Sequence, residues 1–135
     1  MAFVLDNSVV SGWFLENRST AHTEAIAARL HSEKAHAPAL WELEFTNVLR
    51  TACLRQRMTA AHAQAVVAEV DALPIEVDRT PARRSELLAL ALRFGLSSYD
   101  AAYLELALRM QLPVATKDGP LHDAAIASGV GVVSA

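Results

Sequence analysis

Apolar positions in this chain come in short blocks, some contiguous and some at helical spacing. Phe3, Val4 and Leu5 form a contiguous run that stops at Asp6, the pattern of a short buried strand. Ser8 then stands as the cap of a helix carrying Val9, Val10, Trp13 and Phe14. A second helix follows Thr20, with Ile26, Ala27 and Leu30 on one side. Pro38 suits the first turn of a third helix, which would carry Leu40, Leu43, Val48 and Leu49. Thr59 opens an alanine-rich helix with Val66, Val67 and Val70 facing the core, and residues 74–78 read as a strand. Thr80 and Pro81 predict a cap with proline behind it, and Gly95 stands where a left-handed helix end is wanted. Ser97 and Ser98 restart a helix through Ala101, Leu104 and Leu108. Residues 113–116 are a strand ending near Asp118, residues 121–128 a helix closed by Gly129, and residues 130–133 a last strand.

Strands alternating with helices predict an α/β fold, a mainly parallel sheet covered on both faces. At 135 residues, with no linker, low-complexity tract or repeat, the chain reads as one domain, 1–135. A hydrophobic share of 53% supplies a core and excludes a disordered chain. The apolar runs are far too short to span a membrane, the longest obvious one being residues 87–92. The opening residues lack a basic segment before their apolar run, which argues against a secretory signal, and Cys53 has no partner for a disulfide. Both point to the cytoplasm. The net charge of −3 gives no global footprint of a nucleic-acid binder, although ten of the twelve cations are arginine and suit local phosphate contacts.

Parallel sheets place ligands at the carboxyl ends of their strands. Asp6 and Asp118 follow strands, and Glu44 and Asp100 lie in early turns of helices that can open at the same end. Four carboxylates gathered there repel one another unless a cation is present, and hard Mg²⁺ or Mn²⁺ takes such oxygen ligands. Taken singly, Asp6, Asp100 and Asp118 read first as caps and Glu44 as a solvated helix residue. Asn47 shares a helix face with Glu44 and either orients it or faces solvent. The five histidines show no zinc spacing, and no glycine-rich phosphate loop or nucleophile elbow is present. Cys53 reads as a small core residue, and Arg83 and Arg84 as an exposed helix face.

Four segments resemble the PIN-domain ribonucleases of the VapC toxin type. FVLDNSVV (residues 3–10) is similar to the family's opening strand with its acid, here Asp6. PALWELEFTNVLR (residues 38–50) carries the Pro, Glu, Asn-Val-Leu pattern, with Glu44 and Asn47. LSSYDAAYLELA (residues 96–107) is the most specific match, its acid Asp100. LPVATKDGPLHDAAIASGV (residues 112–130) supplies Thr116 and Asp118. The resemblance implies a three-layer α/β/α sandwich with an acidic pocket and Mg²⁺- or Mn²⁺-dependent cleavage of RNA. Asp6, Glu44, Asp100 and Asp118 would be catalytic and metal-binding; Ser8, Asn47 and Thr116 would be polar supports. It further implies a homodimer, silenced by a cognate antitoxin that alone supplies operator-DNA binding. Glu42 precedes Glu44 by two residues and so points about 200° away on a helix, so only one can face the pocket; the family's Asn-Val-Leu register implies Glu44. After Asp118 come Gly119 and Pro120 where some relatives carry another acid; Asp123 is a substitute that reads better as surface.

Two other readings compete. A non-catalytic PIN-like module would bind protein or RNA without turnover. A phospho-acceptor domain would use Asp6, Asp118 and Lys117, but it wants an acid beside Asp6, where Asn7 stands, and leaves Asp78 as the only mid-chain acceptor.

Overall fold

A computed structural model describes residues 1–15 and 20–133. The elements run β1 (Ala2–Leu5), α1 (Asn7–Phe14), α2 (Ala21–Arg29), β2 (Lys34–Pro38), α3 (Leu40–Leu54), α4 (Ala60–Asp71), β3 (Ile75–Asp78), α5 (Arg84–Phe94), α6 (Ser98–Met110), β4 (Val114–Ala115) and α7 (Gly119–Ser128). The four strands form one parallel sheet in the order β3-β2-β1-β4, with Val4 opposite both His36 and Val114.

β1 is central because its residues are apolar on both sides. Phe3, Val4 and Leu5 are each 0% exposed, although successive strand side chains point to opposite faces. Both faces are therefore covered, which makes the fold the expected three-layer α/β/α sandwich. From β1 the chain steps one way to β2 and β3, then returns past β1 to β4. Right-handed crossovers put α1–α4 on one face and α5–α6 on the other, and α6 packs against β1, β2 and β4. The order of strands reverses between β1 and β4, and ligand crevices of parallel sheets lie at such a point.

Local chemistry explains several helix ends. Thr20 accepts from the Thr23 N–H and Thr23 answers from the other side, a reciprocal cap for α2. Thr59 accepts from His62 N–H and Ser97 from Asp100 N–H, capping α4 and α6. Gly95 closes α5 at φ 65°, a left-handed conformation that a side chain resists.

The structure corrects several expectations. Pro38 ends β2, a strand of small and polar residues, and α3 starts two residues later. α1 starts at Asn7, so Ser8 lies inside it and does not cap it. α5 starts at Arg84, because Thr80 turns back to give its N–H to Asp78 Oδ1 at 3.3 Å. Leu43 is 74% exposed; Trp41, Phe45 and Leu49 form the inner stripe of α3 instead. The last strand is reduced to a single bridge between Val132 and Val114. Cys53 is only half-buried.

Candidate active site

The reversal of strand order places Asp6 and Asp118 side by side beyond the carboxyl ends of β1 and β4. Asp6 is fixed first by its backbone, whose N–H donates to the Ala115 carbonyl at 3.0 Å. It holds the N-cap position of α1, yet its side chain makes no capping bond. Its Oδ2 instead accepts from Ser8 Oγ at 2.6 Å and from Thr116 Oγ1 at 2.8 Å. Those hydroxyls are themselves oriented, because Lys117 N–H donates to Ser8 Oγ and Asp118 N–H to Thr116 Oγ1, both at 2.9 Å. Two backbone amides thus aim two hydroxyls at one buried carboxylate.

Asp118 does two things. Its Oδ2 accepts from Leu121 N–H at 2.9 Å and caps α7, and its carboxyl lies close enough to act on that of Asp100. Asp100 reaches this position from the first turn of α6, which Ser97 caps through Asp100 N–H at 3.1 Å. Glu44 comes from the second turn of α3, and its Oε1 accepts from the Tyr103 hydroxyl at 2.6 Å.

The electrostatics show how near these groups lie. Burial pushes the Asp6 carboxyl up, with the charge of Asp118 adding to it and the Ser8 and Thr116 hydroxyls opposing. Burial also raises Glu44; Tyr103 opposes the rise and the charge of Asp6 adds to it. Asp100 is pushed up to about 7 by burial, by the hydrogen bond with Asp118, and by the charges of Asp118, Asp6 and Glu44. A carboxyl that feels three others is the signature of one acidic cluster.

Among the described residues, no group of three His, Cys, Asp or Glu side chains is arranged to hold a metal ion as it stands. The carboxylates face hydroxyls and one another. The donor chemistry nevertheless fits a hard divalent cation: all-oxygen ligands and mutual repulsion among carboxyls that a cation would relieve.

The four expected acids are therefore brought together, and Ser8 and Thr116 join them. Asn47 does not: it is exposed, and among the described residues no hydrogen bond ties it to Glu44. Glu42 points elsewhere, in a two-pronged pair with Arg79 at 2.7 and 3.0 Å. Asp123 has an 83% exposed side chain beside His122. Asp78 is held by Arg109 at 2.6 Å, which removes the mid-chain acceptor of a phospho-acceptor domain. Sequence reasoning assigned no role to Tyr103, although its place three residues after Asp100 puts it on the same helix face.

Comparison with known proteins bears on the family and the fold. The family model for the PIN domain matches residues 3–127. Ribonuclease VapC12 of Mycobacterium tuberculosis, in strains CDC 1551 and H37Rv, is 34% identical over 97 residues, covering 72% of this chain and 74% of the relative. Among solved structures, PAE2754 from Pyrobaculum aerophilum superimposes with a TM-score of 0.69 at 24% identity, over 92% of this chain and 87% of that one. Among the described residues, no helix is long and apolar enough to cross a membrane.

Proposed function

The chain belongs to the PIN-domain family, and from that premise we propose that it is a divalent-metal-dependent endoribonuclease, the toxin of a type II toxin–antitoxin pair. The observation that carries this reading is the gathering of four acids from separate parts of the chain: Asp6 held by Ser8 and Thr116, Glu44 by Tyr103, Asp118 at the cap of α7, and Asp100 among them. Its relationship to a protein named as a ribonuclease supplies the substrate class.

Asp6, Asp100 and Asp118 would hold Mg²⁺ or Mn²⁺, with Glu44 completing the set. Such a cation, when bound, lowers the pKa of attacking water and offsets the charge of the phosphodiester. The remaining work falls to the chain. Ser8 and Thr116 hold Asp6 in one orientation and favour its charged form. Asp100, held up to about 7 by burial and its acidic neighbours, is the group whose charge a bound cation would favour. α7 and its cap position Asp118, so the site and the last helix stand or fall together. A cytoplasmic homodimer, silenced by a cognate antitoxin that carries the operator-DNA contacts, belongs to the same reading.

A second reading is a non-catalytic PIN-like module that binds protein or RNA, favoured by the fact that the acids face hydroxyls and each other. The two separate in one assay. Partner-free protein is expected to cleave RNA with Mn²⁺ present, to stop when a chelator is added, and to lose more than about 100-fold of its rate in Asp100→Asn. Binding of RNA without metal-dependent cleavage, in wild type and variant alike, would give the second reading the place of the first.

A further inference from the structure

Tyr103 is 0% exposed and lies on α6, one helical turn after Asp100. A buried tyrosine needs a partner for its hydroxyl, and a backbone carbonyl would serve. Here the hydroxyl's partner belongs to the acidic site: it donates to Glu44 Oε1 at 2.6 Å. The backbone N–H of Asn7, the first residue of α1 and the neighbour of Asp6, also lies toward the phenol oxygen. One side chain therefore ties the second turn of α3 to α6 beside the start of α1.

We propose that Tyr103 is a positioning residue of the acidic site: its hydroxyl fixes the Glu44 carboxylate relative to Asp6 and Asp100. This rests on the nuclease reading above and deepens it. Glu44 is a half-buried glutamate with several rotatable bonds, and one short hydrogen bond selects one orientation. The bond occupies Oε1 and leaves Oε2 for whatever the site holds. Groups that orient a ligand in this way commonly matter to metal affinity about 10–100-fold when removed.

The test is Mn²⁺ binding by calorimetry on Tyr103→Phe, which removes the hydroxyl and keeps the ring in the core. Affinity is expected to fall about 10–100-fold. In a Glu44→Gln background the same change is expected to cost little more, because the tyrosine acts through the glutamate. Equal affinity in wild type and Tyr103→Phe would overturn the proposal, as would fully additive losses in the double variant. No binding by the wild type would overturn the nuclease reading together with it. If Tyr103→Phe does not fold, the wild-type protein decides by proton NMR. The phenolic proton is expected as a slowly exchanging downfield resonance that moves when Mg²⁺ is added and changes in Glu44→Gln. Absence of that resonance, or no movement with Mg²⁺, would overturn the role.

Discussion

Asp100 carries the strongest consequence at the scale of a single residue. Its carboxyl is held up to about 7 in the folded protein, by burial first and then by its acidic neighbours, whereas an unfolded aspartate titrates near 3.8. The folded state therefore binds this proton more tightly. The stability it contributes is fully present below about pH 3.8 and is lost as pH rises through about 7. Asp6 and Glu44 are shifted in the same direction and reinforce the trend. The melting temperature of chelator-treated protein is expected to fall across this window, and Asp100→Asn to flatten the fall. A profile equally steep in the variant would show that the acids are not coupled through Asp100. The four acids were candidates because each follows a strand or lies in an early turn of a helix, but as a set they were legible only through the resemblance to the family's motifs. The link from Tyr103 to Glu44 was not, since the two are separated by 59 positions and only the fold, in which α6 crosses β1, β2 and β4, joins them.

At the scale of elements, the acids are held in place by helix ends. Ser97 caps α6 through the amide of Asp100, so the cap and the acid occupy the same turn. Ser97→Ala is expected to cost about 1 kcal/mol in urea denaturation and to weaken Mn²⁺ binding, because fraying of that turn carries Asp100 with it. A stability loss with binding untouched would separate the cap from the site. Capped helices such as α2, α4 and α6 were readable because Thr20, Thr59 and Ser97 advertise their starts. β2 was not: Lys34, Ala35, His36 and Ala37 carry no β-branched side chain, and the strand exists because β1 and β3 hydrogen-bond to it on both sides. The start of α5 was missed for the opposite reason, a plausible cap at Thr80 diverted into a turn with Asp78.

The whole molecule leaves α5 conspicuous. None of its residues is fully buried, and Leu88 and Leu92, one turn apart, are 61% and 76% exposed. Beside it a groove of ≈ 490 Å³ between α5 and α6 is lined by Leu90, Leu108 and the Glu105–Arg109 pair. Such a face suits the proposed homodimer. Replacing Leu88 and Leu92 together by glutamate is expected to convert a dimer to monomer in light scattering, with the fold retained since neither residue belongs to the core. A mass unchanged by the substitution would place the dimer contact elsewhere.

The hydrogen bond from Thr116 to Asp6 spans 110 positions of the chain, and this has a practical side. The exposed stretch around residues 79–83, between β3 and α5, divides the molecule into a first piece with Asp6 and Glu44 and a second with Asp100, Thr116 and Asp118. Neither piece contains the cluster. A protein with the proposed toxin activity can then be produced as two fragments that each lack the cluster, separated at that stretch and mixed only in the test tube. Appearance of RNA cleavage on mixing would mark the moment when β4 docks beside β1.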